Sequence, residues 1–125
     1  SINWRDVDQY PIFKNCELIS KKEQQKSCFE ATLSSYIYLS INVEETVVTT
    51  DLNETLTIDF IIDEKGKLMI TSMIIDSLIT AQIPLLEKNI KRSMDSIQLI
   101  APAYKRGIPV KTSFQLPLEI KTIAN

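Results

Sequence analysis

Residues 55–63 alternate apolar and polar with almost no break. Leu56, Ile58, Phe60 and Ile62 fall on one side, and Thr57, Asp59, Ile61 and Asp63 fall on the other. A period of two is the signature of a strand with one buried and one wetted face. Glu64-Lys65-Gly66-Lys67 then supplies a turn, with Gly66 free to take a positive φ. Residues 68–75 follow as a second β-rich run, so the two runs read as a hairpin. Its apolar side, Phe60 included, must be covered by the rest of the chain.

Two segments have the spacing to cover it. Ser20-Lys21-Lys22-Glu23 is a capping-box pattern. Behind it Phe29, Leu33, Tyr36, Ile37 and Ser40 or Ile41 recur at steps of three and four, which predicts a helix over 21–39. Pro84 suits a first helical turn, and Ile83, Leu86, Ile90, Met94 and Ile97 follow at the same spacing. Glu87 and Lys91 form an i,i+4 pair on the other side, so a second helix is expected over 84–97. Residues 42–54 read as a connection with room for a short strand, and 101–107 as a loop. Alternation returns over 108–120. Pro117 cannot donate to a ladder, so this last strand belongs at a sheet edge.

The order helix, strand, strand, helix, strand predicts an α+β fold. It is a short antiparallel three-stranded sheet with two helices packed on one face. Residues 1–19 carry Trp4, Tyr10 and Phe13 and read as an irregular leader packing aromatics onto a body formed by residues 20–125.

Composition removes most catalytic templates. The chain of 125 residues is 44% hydrophobic and 24% charged, which suits one domain with a real core. It has no His, which excludes Ser-His and Cys-His nucleophile pairs and the usual zinc sites. Its two glycines, Gly66 and Gly107, lie too far apart for a phosphate-cradling loop. A net charge of −2 argues against non-specific binding of nucleic acid or of anionic membranes. No run approaches the roughly 20 apolar residues of a membrane span, and no apolar leader is visible. Membrane attachment is therefore expected only through a segment absent from this chain. Nothing in the sequence calls for a cofactor or a metal.

Cys16 and Cys28 lack C-x-x-C spacing and cannot complete a metal site without His. They are either two small buried residues or, in an oxidising compartment, a disulfide. The loop it would close is worth about 3 kcal/mol in the chain-entropy model.

The remaining polar groups have ordinary structural explanations. Asp59 and Asp63 share a strand face, but acid–base work would need burial to separate their pKa values, and the alternation keeps both wet. Glu44, Glu45, Asp51 and Glu54 lack calcium-loop spacing. Ser34, Ser35 and Ser93 have no base partner in any known order. Lys105-Arg106 beside Tyr104 is too small a cationic patch for a phosphate stripe. Asn53-Glu54-Thr55 matches a glycosylation acceptor but reads as a loop leading into a strand. The residues point to a small non-enzymatic binding module, whose exposed last strand could recruit a partner strand.

Four blocks, in order over about residues 10–120, add a resemblance. They are Tyr10-Pro11-Ile12-Phe13-Lys14-Asn15-Cys16 with Cys28 behind it; Leu56-Thr57-Ile58-Asp59-Phe60-Ile61-Ile62-Asp63-Glu64-Lys65-Gly66-Lys67-Leu68; Pro84-Leu85-Leu86-Glu87; and Ala101-Pro102-Ala103-Tyr104-Lys105-Arg106-Gly107-Ile108-Pro109-Val110 with Phe114 and Leu116-Pro117-Leu118. Together they resemble the C-terminal domain of TonB-type energy transducers, in the form common in Bacteroidetes-like bacteria. The resemblance implies a periplasmic domain of a membrane-anchored protein and a Cys16–Cys28 disulfide. It also implies that the last strand is added to the TonB box of an outer-membrane receptor, or to another envelope protein, in energy-dependent transport.

Carried over by position, the partner-binding residues would be Val110, Lys111, Thr112, Ser113, Phe114, Gln115 and Leu116. The outward Lys111, Ser113 and Gln115 would lie nearest the docked segment. The same unpaired edge could make a homodimer. Residues 39–54 have neither the Tyr-Pro nor the Gly of the family's receptor-facing region. This leaves a second reading, a stand-alone periplasmic or lipid-anchored envelope module of the same fold without energy transduction.

Overall fold

The alternating segment and its successor form the expected hairpin in the computed structural model, which describes residues 2–41 and 49–124. Strand β2 (Leu52–Ile62) pairs antiparallel with β3 (Leu68–Ile74). Gly66 takes φ +85° in the turn. Asp63 holds that turn closed. Its carboxylate accepts the N–H groups of Lys65 and Lys67, both at 2.9 Å, and its own N–H donates to the Lys67 carbonyl. The β2–β3 register shifts between Asp59 and Phe60, where Thr71 is the extra residue of a β-bulge. β2 begins three residues earlier than the alternation suggests.

On its other flank β2 pairs along its whole length with β6 (Thr112–Thr122), from Leu52 opposite Thr122 to Ile62 opposite Thr112. A fourth strand, β1 (Ile2–Asn3), lies parallel to the start of β6. The main sheet therefore has four strands, in the order β1-β6-β2-β3, rather than three. The run over 108–120 is also not one strand. Ala103–Lys105 (β4) and Ile108–Val110 (β5) pair with each other as a separate ribbon. Its two-residue loop, Arg106-Gly107, has φ of 53° and 77°. Two successive positive φ values are what a tight hairpin turn of matching twist demands.

Helix α1 spans Lys22–Ser40 and buries Phe29, Leu33 and Ile37, as its spacing predicts. The capping box does not form, because the N-cap position falls on Lys21 and leaves Ser20 outside the helix. The Gln25 amide instead donates back to the Ile19 carbonyl at 3.1 Å. The helix expected over 84–97 is shorter, and a separate helix that the spacing did not predict precedes it. α2 (Ser77–Gln82) is capped by Asp76, whose carboxylate accepts the Leu78 N–H at 2.8 Å, and α3 spans Leu86–Met94. Pro84 lies in the break between them, where its missing N–H removes nothing from either helix.

One apolar cluster unites these elements. Leu56, Ile58, Phe60 and Ile62 of β2 and Phe114, Leu116, Leu118 and Ile120 of β6 face the helices, which contribute Phe29, Leu33, Ile37, Ile79, Leu86, Ile90 and Met94. Two apolar strand faces need one helical layer, which makes the domain α+β with helices on one side.

The leader is part of this interior. Trp4 stacks on Phe114 with centroids 4.4 Å apart, and Phe114 stacks on Phe60 at 5.2 Å. Tyr10 meets Trp4 edge-on at 4.7 Å, and Phe13 stacks on Phe29 at 5.2 Å. The Cys16–Cys28 disulfide, with Cα atoms 6.0 Å apart, staples the leader to α1. The other face of the sheet stays open.

Candidate functional site at the outer edge of the last strand

In an extended strand the N–H and C=O of one residue point to the same flank, and the flank alternates along the chain. The Ile2 N–H donates to the Lys111 carbonyl at 2.8 Å, so Lys111 turns its backbone toward β1 and away from β2. By alternation the backbone groups of Ser113, Gln115, Pro117, Glu119 and Lys121 face the same outer flank. The even-numbered residues of β6 pair with β2 and send their side chains into the core.

This geometry places each residue of the expected docking strand. Val110 pairs with Ala103 in the ribbon and is not part of β6. The Lys111 carbonyl is occupied by Ile2, and Ser113 lies opposite Asn3. Thr112 is fully buried, and its hydroxyl has no hydrogen-bond partner among the described residues. Phe114 and Leu116 are core residues. Gln115 is exposed, and its side-chain amide donates to Asp59 at 3.0 Å. The expected run over 110–116 is therefore not uniformly free. Its first half is covered by the chain's own N-terminal strand, and the flank without a neighbouring strand, among the described residues, begins at Gln115.

Farther along, two features blunt the edge. Pro117 has no N–H, and alternation places that gap on the outer flank. This is why proline is tolerated in a strand otherwise paired throughout with β2. The Tyr38 hydroxyl reaches over from α1 and donates to the Glu119 carbonyl at 2.9 Å. β3 is the opposite edge of the sheet, and its bulge at Thr71 bends that edge.

β1 is held weakly. Fixing a residue's backbone costs roughly 1–2 kcal/mol, and a typical hydrogen bond returns about 0.5–1.5 kcal/mol. Two residues of ladder therefore come close to balance. The periodicity analysis missed β1 because two residues carry no period. The neighbouring Trp4 was the available signal that this end of the chain lies on the sheet.

The carboxylates expected to be wet are so, and each has a bracing task. Asp59 accepts from the Ser72 hydroxyl on β3 and from Gln115 on β6, tying three strands together across the open face. These two hydrogen bonds, Ser72 first, hold its carboxyl below the usual aspartate value. Asp63 is lowered chiefly by the Lys67 N–H in its turn. Asp8 is lowered by the Arg106 N–H, at 2.7 Å, and also pairs with Lys105 at 3.9 Å. Lys105 and Arg106 thus clasp the ribbon to the leader.

Asp51 accepts the Ala124 N–H at 2.7 Å, and Glu54 and Asn53 lie within β2 rather than in a loop. Glu44 and Glu45 lie outside the described residues. Among the described residues no group of three or more His, Cys, Asp or Glu side chains could hold a metal ion. Ser34, Ser35 and Ser93 make no hydrogen bond to a basic side chain among those residues. Ser35 lines an open cleft of about 560 Å³ with Phe13, Tyr36 and Leu39. No helix of the described residues is long and apolar enough to cross a membrane. No protein-family model, curated protein or solved structure matches this chain.

Proposed function

We propose that this domain is a non-enzymatic, periplasmic interaction module that takes an extended segment of an outer-membrane receptor onto the outer edge of β6 by strand addition, in energy-dependent transport. The observation that carries the reading is the asymmetry of β6. Its inner flank is fully paired with β2, while residues 115–121 have no neighbouring strand on the outer flank among the described residues. Unpaired backbone groups on a sheet edge are a ready template for another chain. The Cys16–Cys28 disulfide supports an oxidising compartment such as the periplasm.

The experiment is a titration of the isotope-labelled protein with a receptor TonB-box peptide, following amide shifts. Shifts concentrated on residues 111–121 are expected. Shifts that avoid those residues would overturn strand addition at this edge. A second reading has its own observation. Pro117 and the Tyr38–Glu119 hydrogen bond are the kind of devices that keep an edge from pairing. They favour a stand-alone envelope module of the same fold without energy transduction, for which the peptide produces no shifts at all.

A further inference from the structure

We propose that the outer edge of β3 pairs with the β3 edge of a second copy of this chain, antiparallel about a two-fold axis, so that the two four-stranded sheets become one. The inference concerns the edge opposite the one in the docking reading above and goes beyond that reading.

The direction of the backbone groups leads to it. Odd-numbered residues of β2 turn their backbone toward β3, as the Asp63 N–H donating to the Lys67 carbonyl shows. Met69, opposite Ile61, and Ile74, opposite Thr57, therefore point their backbone groups inward. Leu68, Ile70 and Met73 point theirs outward, where no strand lies alongside among the described residues. The bulge at Thr71 separates Ile70 from Met73 by three residues where a regular strand would have two. A second copy running the other way carries the same spacing. Setting Ile70 against Met73 of that copy, and the reverse, brings outward groups to outward groups on both sides of the axis. The same register sets Leu68 against Ile75, which both face the core, and the exposed Met69 against the exposed Ile74. Buried face continues into buried face, and the helices of both copies stay on one side.

The charges select the second copy as the occupant. The seven residues of β3 include no charged residue and no proline, so this edge lacks the commonest guards against pairing. Charge appears just beyond its ends, as Lys67 before Leu68 and Asp76 after Ile75. The register that aligns the backbone sets each Lys67 against Asp76 of the other copy, which makes two opposite-charge pairs. Shifting it by two residues sets Lys67 against Ile74 and loses both. The helical layer follows the same pattern. Lys91 and Asp95 lie beside the Lys67–Ile70 half of the strand, and Glu87 lies beside Met73 and Ile75. Two-fold pairing brings the Glu87 end of one copy alongside the Lys91 end of the other. A surface that complements itself in this way is what a two-fold contact requires.

The test measures association by sedimentation velocity on the oxidised chain as its concentration is raised toward the millimolar range. Concentration-dependent dimers are expected. Lys67→Glu sets carboxylate against carboxylate at both ends of the ladder and is expected to weaken the dimer about tenfold. Adding Asp76→Asn, which keeps an N-cap residue on α2, is expected to recover most of that loss. A second arm reads the register. Met69→Cys/Ile74→Cys is expected to form a covalent dimer in mild oxidant with the native disulfide intact, and neither single-cysteine variant is expected to do so. Failure of the double-cysteine protein to cross-link would overturn the pairing. So would a dimer that Lys67→Glu leaves unchanged, or single-cysteine variants that cross-link as readily as the double one. The peptide titration reads residues 111–121 on the other edge, so failure of one reading is distinguishable from failure of the other.

Discussion

Replacing Trp4 by alanine removes an indole that stacks on Phe114 and also touches Tyr10 and Phe29, at a site only 8% exposed. Truncating a buried Phe or Trp to Ala typically costs about 3–5 kcal/mol. One feature pulls this figure down. The indole N–H is buried with no partner among the described residues, and removing an unsatisfied donor returns about 1–3 kcal/mol. A net loss of about 2 kcal/mol is expected. For a chain of 125 residues, at roughly 2 cal/mol/K of unfolding entropy per residue, that loss lowers Tm by about 8 °C. Trp4→Phe keeps a ring on Phe114 and deletes the orphaned donor, so it should cost no more than about 1 kcal/mol.

Urea unfolding followed by far-ultraviolet circular dichroism, with the disulfide intact, measures both variants. A loss below about 1 kcal/mol for Trp4→Ala would mean that the leader is an appendage and not part of the core. A Trp4→Phe cost as large as that of Trp4→Ala would mean that the indole nitrogen makes a bond the geometry does not contain.

Three further outcomes follow from local geometry. Replacing both Cys16 and Cys28 by Ser should cost about 3 kcal/mol in the same melts, and thiol titration of the denatured, unreduced chain should find no free thiol. Asp59 has its folded pKa depressed by Ser72 and Gln115, so its contribution is present above the unfolded value near ~3.9 and is lost as pH falls through the folded value. The difference in urea midpoint between the unaltered chain and Asp59→Asn should therefore shrink between pH 7 and pH 2.5, and a constant difference would refute that bracing role. Gly66→Ala should cost about 1 kcal/mol through its φ of +85° alone, because an added Cβ meets nothing closer than 3.7 Å.

The sequence pattern was most informative where a periodic face was long. The alternation around Phe60 located β2 and its buried face, and the steps of three and four in α1 located Phe29, Leu33 and Ile37. Where one periodic run hid a change of partner, pattern alone failed. Residues 108–120 alternate without a break. Yet Val110 belongs to a ribbon with Ala103 and Thr112 to the main sheet, because alternation reports which face is buried and not which strand lies alongside. The start of the helix expected at Pro84 was placed two residues early for a related reason. Ile83 and Leu86 are both buried at helical spacing, so the side-chain pattern continues across a backbone that does not. Pro117 marks the part of β6 that lacks an outer neighbour among the described residues, through its position on the odd-numbered, outward flank, but β6 is not the edge strand expected, because β1 covers its start. The short β1 was beyond any periodic signal, although it decides how much of that edge is open.

The outer flank of β6 is guarded by three devices, each acting on a particular backbone group. β1 covers Lys111 and Ser113, Pro117 removes an N–H, and the Tyr38 hydroxyl occupies the Glu119 carbonyl. An exposed strand of eleven residues with an apolar inner face would otherwise invite pairing between copies. None of the three guards lifts freely. The proline is fixed by the sequence, and moving Tyr38 disturbs a helix whose neighbouring residue, Ile37, is fully buried. β1 leads directly into the turn that carries Trp4, whose ring stacks on Phe114, so withdrawing it pulls on the core. With these guards in place, the first backbone groups that a joining strand finds free on this flank, among the described residues, are those of Gln115. A partner peptide that moves the amides of Lys111 and Ser113 and leaves Gln115 unmoved would break this chain of reasoning at its first link.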